Sequence, residues 1–238
     1  DYVPHTAEDQ KAMMRTVGIR SLEDLFADIP DRYRLRRLLD LPTAGSEPEV
    51  FDLMKGLSAE NTVPRITLAG AGAYHHYIPA VVGHVISRSE FYTAYTPYQA
   101  EISQGILQAI YEYQTMIAKL TGTRVANASM YDGASAMAEA AVLSAKTLNR
   151  RKIVAVKSVH PEYRGVVKTY AWANGYEVVE TGFGKSGRLD AEELRAALDE
   201  NTAAVLIQSP NFFGVIEDVG SIEKAVHEKG AYLVCGFT

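Results

Sequence analysis

A run of small residues precedes an alanine-rich segment in "ANASMYDGASAMAEAA", residues 126–141. Alanine and glutamate favour helix, whereas the residues before them favour caps and turns. A helix that begins around Asp132, Gly133, Ala134 and Ser135 leaves backbone N–H groups open, and such groups bind anions, phosphate above all. The same residues suit an ordinary helix cap made by Asp132 or Ser135. Taken alone, the segment favours the cap and leaves an anion site as the alternative.

Further residues whose side chains could take part in binding or catalysis follow predicted strands. They are Ser158-Val159-His160, Gln208-Ser209-Pro210-Asn211 and Gly236-Phe237-Thr238. Ligands of open α/β sheets bind beyond the carboxyl ends of the strands, so these positions and the 132–135 loop are expected to share one edge. Each signal has a plainer interpretation, because a lone His160 is more often a hydrogen-bonded structural residue and Asn211 suits a turn after Pro210.

The elements that would position these residues alternate from residue 122 onward. Strands are predicted at "RVANAS" (124–129), "KIVAVKSV" (152–159), "YEVVETGF" (176–183), "TAAVLIQSP" (202–210) and "AYLVCGFT" (231–238). Helical segments lie between them, namely the alanine-rich helix, "PEYRGVVKTYAWANG", "DAEELRAALDEN" and "SIEKAVHEKG". This βαβ rhythm predicts an α/β fold, a mostly parallel sheet with helices on both faces.

The first 60 residues have a different pattern. A capped helix is predicted at 4–19, with Thr6 and Asp9 as a capping box and Gly18 at the stop. Helices are also predicted at 21–30, capped by Ser21, and at 46–62, with an extended linker at 31–49 between them. The predicted organisation is a helical amino-terminal arm at 1–60 and an α/β large domain at 61–238.

Two aromatic loops lead into helices within residues 65–122. The first has Gly70, Gly72 and Ala73 followed by His75 and His76, and the second, "YTPYQAE", holds Tyr95, Tyr98 and Gln99 beside Glu101. A long helix follows, in which Ile106, Ile110, Tyr113 and Ile117 recur at helical spacing before Gly122 ends it. The aromatic loop is interpreted as a surface buried by a partner subunit, as a substrate rim, or as both.

Composition and missing motifs exclude several classes of function. The net charge of −5 argues against a nucleic-acid or membrane-surface partner, and the single Cys235 permits no intrachain disulfide and fits the cytoplasm. His75 and His76 are adjacent rather than one helical turn apart, and no HExxH, CxxC, GxGxxG or GxxxxGK[ST] motif occurs. We therefore expect no metal site and no dinucleotide. No signal peptide is evident, and because the chain stops on a predicted buried strand we expect the α/β domain to be incomplete.

Several segments resemble one family. "YTPYQAEISQGILQAIYEYQTM", "ANASMYDGASAMAEA", "VHPEYRGVVKTY" and "QSPNFFGVIED", together with the opening "YVPHTAEDQKAMMRTVGIRSLEDLFADIP", are similar to the P-protein of the glycine cleavage system, a pyridoxal-phosphate enzyme of fold type I. The likeness covers essentially the whole chain. In many bacteria this family is split into two homologous subunits, and the chain resembles the amino-terminal part of the first.

The resemblance implies a reaction, a cofactor and partners. Glycine condenses with pyridoxal phosphate, loses CO2, and passes its aminomethyl group to the lipoyl arm of the H-protein, while the cofactor serves as an electron sink. The implied partners are the second P-protein subunit, the lipoyl H-protein and glycine, in a heterotetramer.

The resemblance also assigns residues. The phosphate would sit at Asp132, Gly133, Ala134 and Ser135, His160 would stack on the pyridine ring, and Asn211 would face its other substituents. Gly236-Phe237-Thr238 carries no carboxylate for the pyridine nitrogen, and no lysine follows Lys229. Hence pyridoxal phosphate is expected on the partner subunit, with a relic pocket here and no catalytic residue in this chain.

Three roles remain open at this point. Tyr95, Tyr98, Gln99, His75 and His76 are candidate substrate or interface residues of a glycine decarboxylase subunit. The alternatives are a non-catalytic scaffold that completes the partner's active site, and a fragment of another fold type I amino-acid decarboxylase or lyase.

Overall fold

The computed structural model describes residues 5–68, 70, 74–92 and 95–237. Gly72, Ala73 and Thr238, which the sequence analysis singled out, lie outside the described residues. The contacts within the chain divide it into two units, Asp1–Arg65 and Ile66–Thr238. The boundary at residue 60 between an arm and a large domain stays a prediction.

Local capping builds the helices of the first unit. The Thr6 N–H donates to Asp9 Oδ2 at 2.8 Å and the Asp9 N–H donates to Thr6 Oγ1 at 3.2 Å, which starts helix α1 (Ala7–Val17). Gly18, at φ 85°, ends it in the left-handed conformation, as predicted. Helix α2 (Glu47–Ala59) likewise begins after Ser46, whose N–H donates to Glu49.

The helix predicted at 21–30 is wrong in length and type. Only the five residues Leu22–Phe26 are helical, as a 3₁₀ turn, because the Ala27 N–H bonds to the carbonyl of Asp24, three residues back. The predicted linker at 31–49 contains a second 3₁₀ turn, Asp31–Tyr33, and the start of α2.

The second unit begins with one helix that the sequence predicted and one that it did not. Helix α3 (Ala80–Ile86) follows Pro79, and α4 (Ser89–Tyr92) is short. The long helix α5 (Gln104–Thr121) ends where Gly122 takes φ 71°. The start of α3 after Pro79 and the end of α5 at Gly122 therefore follow from local residue chemistry.

A parallel sheet of four strands forms the centre of the described α/β unit, in the order β2-β1-β3-β4. The strands are β1 Lys152–Val156, β2 Glu177–Thr181, β3 Thr202–Gln208 and β4 Tyr232–Gly236. The strand predicted at 124–129 is wrong. Those residues form an irregular segment in which the Ala126 carbonyl accepts a hydrogen bond from Gln114 Nε2 of α5 at 2.6 Å, and alanine and asparagine have little strand propensity.

Helices cover both faces of the sheet, as predicted. On one face α6 (Gly133–Leu148) and α7 (Pro161–Asn174) pack against Ile153 and Leu206. On the other, α8 (Ala191–Ala197) and α9 (Val219–Glu228) pack against Val154 and Val205. Neighbouring side chains of a strand point to opposite faces, and because helices cover both faces, β1 and β3 are buried on both sides. The carboxyl ends of these strands lie beside the starts of the helices.

Candidate functional site

The start of α6 and the ends of β1, β3 and β4 meet at one edge of the sheet. The His160 N–H, after β1, donates to Gln208 Oε1 at the end of β3 at 2.9 Å. A Cβ atom added to Gly236, at the end of β4, would lie 2.8 Å from Met137 Cε in the first turns of α6. The structure thus brings the predicted candidate segments together at the carboxyl edge, although the first of them follows no strand.

The 132–135 segment is a helix cap. Asp132 accepts a hydrogen bond from the Ser135 N–H at 2.7 Å, so its carboxylate occupies the position over the first turn that an anion would take. A Cβ on Gly133 would lie 2.9 Å from Cζ of Tyr163, and closer still to the tyrosine hydroxyl. A side chain at 133 would therefore require the Tyr163 ring to shift, while Ala134 is buried in the core.

His160 is a buried histidine that starts α7. Its Nδ1 atom accepts a hydrogen bond from the Glu162 N–H at 3.2 Å. Its ring contacts two aromatic rings, with centroid distances of 5.2 Å to Tyr163 and 5.0 Å to Phe212. The ring thus has two aromatic contacts and a hydrogen bond from the backbone.

Asn211 uses its whole amide group inside the chain. Nδ2 donates to the Gly187 carbonyl at 2.8 Å and to Glu217 Oε1 at 2.7 Å, while Oδ1 accepts from the N–H groups of Phe213 and Val215 at 3.0 and 3.1 Å. The residue is only 4% exposed. Two donors and two acceptor sites are the full capacity of an asparagine amide, so none remains for a ligand.

Glu217 is the residue at this edge that sequence reasoning missed. It is 5% exposed and accepts hydrogen bonds from Asn211, from Ser158 Oγ at 3.2 Å and from the Leu189 N–H at 3.2 Å. Asp218 beside it is exposed and caps α9, and the side-chain hydrogen bond from Ser221 lowers the pKa of that carboxyl. Nothing in the letters "ED" distinguishes the buried acid from the exposed one.

The candidate residues of the two aromatic loops lie at the surface. His75, His76 and Gln99 are exposed, and Tyr95 and Tyr98 are 81% and 83% exposed. The two tyrosine rings contact each other edge to face, with centroids 6.1 Å apart. The interactions that the structure gives these tyrosines lie within their own loop, at an exposed surface.

Gly236 and Phe237 lie at the end of β4, at the same carboxyl edge of the sheet. The Ser209 N–H donates to the Gly236 carbonyl at 2.9 Å, and Phe237 is exposed. The Cys235 thiol next to them is partly buried, and this burial raises its pKa.

The carboxyl edge, as built, does not fit pyridoxal phosphate. The Asp132 carboxylate already caps the helix start and would repel a phosphate there, and the Tyr163 ring covers Gly133. The Asn211 amide has no hydrogen-bonding capacity left for the cofactor's substituents.

Two other kinds of feature are absent from the described residues. Among them, no group of three or more histidine, cysteine, aspartate or glutamate residues is arranged to hold a metal ion. In the same part of the chain, no helix is both long and apolar enough to span a membrane.

Comparisons with known proteins point in one direction. Residues 1–237 match the family model described as the glycine cleavage system P-protein. Three curated proteins with the name "Probable glycine dehydrogenase (decarboxylating) subunit 1" are similar to the chain. That of Carboxydothermus hydrogenoformans is 52% identical over 98% of the chain and 53% of its own length. Those of Brevibacillus brevis and a Geobacillus species are 49% and 53% identical over 98% and 95% of the chain and 52% and 51% of their own lengths.

The chain thus spans about half the length of the curated relatives it matches. Among solved structures, a glycine decarboxylase (P-protein) of the glycine cleavage system, in inhibitor-bound form, is 43% identical with a TM-score of 0.88, over all of the chain and 53% of that structure. A sphingosine-1-phosphate lyase from Burkholderia pseudomallei is 15% identical with a TM-score of 0.56, over 87% of the chain and 51% of that structure, which shows the fold alone.

Proposed function

The chain belongs to the family of the glycine cleavage system P-protein, and from that premise we propose that it is part of subunit 1 of a glycine dehydrogenase (decarboxylating). One observation carries the proposal: relatives with that name are 49–53% identical to the chain over 95–98% of its length. Their shared name specifies a subunit, so a second subunit is part of the proposal.

The proposed activity belongs to the assembled enzyme. It decarboxylates glycine and transfers the remaining aminomethyl group to the lipoyl arm of the H-protein, in the cytoplasm, as a heterotetramer of the two subunit types. Pyridoxal phosphate bound by the second subunit supplies the electron sink for this chemistry. The carboxyl edge of this chain does not fit pyridoxal phosphate, and this supports placing the cofactor on the second subunit.

The aromatic loop is the proposed contribution of this chain to the active site. Tyr95 and Tyr98 are almost fully exposed, and Gln99 beside them is exposed too. Tyrosine is enriched at interfaces because its ring can be dry while its hydroxyl stays hydrogen-bonded. We propose that these residues, with His75 and His76, face the second subunit near its substrate.

A second candidate function is a non-catalytic scaffold. It is favoured by the internal satisfaction of the candidate pocket, in which Asp132, His160 and Asn211 each serve a structural hydrogen bond. In that case the chain shapes and shields the partner's site without contacting the substrate. The third role, a fragment of another decarboxylase or lyase, has only fold-level likeness in its favour.

Glycine exchange in the assembled enzyme tests the proposal. Full-length subunit 1 is co-expressed with subunit 2, and exchange of labelled bicarbonate with the glycine carboxyl is measured with lipoyl H-protein. We expect exchange only when both subunits are present. Two subunits that copurify without exchanging label, or an active subunit 2 alone, contradict the proposal.

Alanine substitution at both Tyr95 and Tyr98 separates the first candidate from the second. We expect the complex to form and kcat/KM for glycine to fall at least tenfold if the rings reach the partner's site. Trp172→Ala is the matched control, because Trp172 is an aromatic residue of α7 that is 83% exposed and lies outside the candidate set. Unchanged kinetics in the double variant favour the scaffold.

A further inference from the structure

We propose that Glu217 is a positioning residue, a buried carboxylate that holds three loops of the carboxyl edge in one conformation and thereby sets the contact between His160 and Phe212. The proposal goes beyond the proposed function and does not depend on it. It rests on the burial of the carboxylate, on the donors around it, and on the connections between those donors.

The Glu217 carboxylate is buried without a cation. Among the described residues no ion pair includes it, although nine pairs of a lysine or arginine with a carboxylate do occur there. A buried carboxylate is costly unless hydrogen bonds replace its hydration. Glu217 has that replacement in three neutral donors, and a buried acid retained at this cost needs a structural or functional explanation.

The three donors come from three different loops. Ser158 Oγ belongs to the loop between β1 and α7, and the Leu189 N–H to the loop between β2 and α8. Asn211 Nδ2 belongs to the loop between β3 and α9, which also carries Glu217 itself. One side chain therefore ties together the loops that follow three strands of the sheet.

The connections form a closed ring. From Glu217 the chain of contacts passes to Asn211 Nδ2 at 2.7 Å, and Asn211 precedes Phe212. The Phe212 N–H donates to the Ser158 carbonyl at 2.8 Å, and Ser158 Oγ donates back to Glu217 at 3.2 Å. A ring of this kind has one conformation in which every donor is satisfied.

The carboxylate also decides which way the Asn211 amide points. Because Nδ2 is drawn to Glu217 and to the Gly187 carbonyl, Oδ1 must face the N–H groups of Phe213 and Val215. That orientation forms the tight 211–215 turn, which places the Phe212 ring 5.0 Å from the ring of His160. Glu217 acts on the two rings through Asn211 and Ser158.

Two substitutions at position 217 test the inference in the full-length protein. Glu217→Leu keeps the bulk and removes both acceptors, whereas Glu217→Gln keeps one acceptor oxygen. Glu223→Gln, on the exposed face of α9, is the matched control. Hydrogen exchange is followed at Leu189, Phe212 and Phe213, with the buried residues of α6 as the internal reference.

We expect exchange at these three N–H groups to accelerate at least tenfold in Glu217→Leu, while exchange in α6 changes less than twofold. Glu217→Gln should give an intermediate acceleration, because its oxygen still accepts from Asn211. If Glu217→Leu does not fold, the Gln variant carries the test, with the largest acceleration at Leu189, whose N–H also donates to the Oε2 atom. Equal acceleration in the loops and in α6, or none in either, overturns the inference.

A spectroscopic measurement distinguishes positioning from stability. With its centroid 5.0 Å away, the Phe212 ring is expected to shift the NMR resonances of the His160 imidazole, and Phe212→Leu gives the position of those resonances without the ring. We expect Glu217→Leu, or Glu217→Gln if that variant alone folds, to move the His160 resonances toward the Phe212→Leu position. Resonances that stay at the wild-type position in a variant with loosened loops overturn the inference, and so do resonances that move equally in Glu223→Gln.

Discussion

At the scale of single residues, the groups that suggest a ligand site make their contacts within the chain instead. Asp132 caps α6, the Asn211 amide is fully hydrogen-bonded, and the Tyr163 ring occupies the space above Gly133. These residues retain types that suit a phosphate loop and a cofactor pocket, yet each has an internal partner. The carboxyl edge is thereby built as a packed surface.

Gly133 gives a direct test of this interpretation. Gly133→Ala should destabilise the full-length protein by about 1–3 kcal/mol, because the new methyl group overlaps with the Tyr163 ring. Gly165→Ala on α7 is the control, since nothing lies within 4 Å of its added Cβ, and it should stabilise by about 0.5–1 kcal/mol. Urea unfolding measures both, and a Gly133→Ala protein as stable as the control would show that Tyr163 moves aside freely.

Tyr163→Ala should relieve the Gly133→Ala defect. The two side chains share one space, so the double variant is expected to be more stable than the sum of the single effects by at least 0.5 kcal/mol. A double-mutant cycle in urea measures this coupling. Additive effects would mean that the Gly133 defect arises elsewhere.

At the scale of elements, charged side chains connect helices, loops and strands at two places around the sheet. Arg164 and Lys168 of α7 both donate to the Glu180 carboxylate on the edge strand β2, the latter at 2.8 Å. At the amino edge of the sheet, where the strands begin, the Arg150 guanidinium donates to the carbonyls of Thr202 and Lys229 at 2.7 and 2.8 Å. The first cluster joins α7 to the strand that follows it, and the second joins the loop before β1 to residues 52 and 79 positions further along the chain.

The Glu180 cluster predicts a pH dependence. Burial raises the pKa of Glu180, but hydrogen bonds from Lys168 and Arg164 outweigh it, so the folded-state pKa lies below the ordinary value of 4.5. A lowered folded-state pKa gives stability that is present above about pH 4.5 and is lost as the pH falls through the folded-state value. Glu180→Gln should therefore cost about 1–2 kcal/mol at pH 7 and much less at pH 3.

Urea unfolding at the two pH values measures this difference. Glu177→Gln is the control, because Glu177 lies on the same strand and is exposed. A loss of stability in Glu180→Gln that is equal at pH 7 and pH 3 would contradict an ionised Glu180 as the source of the effect.

Arg150 should matter more than its neighbour Arg151. Arg150→Ala leaves two carbonyls at the amino edge without their donor and should cost about 2–3 kcal/mol. Arg151 is exposed and its side chain reaches one carbonyl, of Gly175, at 3.5 Å, so Arg151→Ala should change stability by less than about 0.5 kcal/mol. Equal losses of unfolding free energy in the two variants would count against this assignment.

At the scale of the whole molecule, the second unit exposes apolar surface beyond its sheet. Helix α5 has no buried residue among those described, and its Tyr111, Met116 and Leu120 are all exposed. The Phe212 and Phe213 rings add to the apolar surface at the carboxyl edge. Soluble monomers rarely expose large contiguous apolar patches, and the relatives are about twice as long as this chain.

This surface predicts how the 238-residue chain behaves by itself. We expect it to self-associate and to enhance the fluorescence of a hydrophobic dye, because apolar side chains are left in water. The full-length subunit bound to its partner should show neither effect at the same concentration. Light scattering after gel filtration measures association, and a monodisperse 238-residue monomer without dye binding would contradict the prediction.

The sequence alone determined the parts of this protein that depend on nearby residues. The Thr6–Asp9 capping box and the left-handed glycines at 18 and 122 are local, so the ends of α1 and α5 were predictable. Runs of apolar residues in β1 and β3, separated by helical patterns, predicted a parallel sheet with two covered faces. The long shared motifs predicted the family.

Tertiary structure alone decided what the candidate residues do. The 124–129 segment is no strand, since its backbone meets a glutamine of α5, and the pairing of a strand depends on partners distant in sequence. Gly133 packs under a ring from α7, thirty positions away, and Glu217 gathers donors from three loops. Burial and partner geometry arise only when segments distant in sequence come together. Residue type and spacing could therefore predict that these residues share one edge of the sheet, but not whether they bind a ligand or each other.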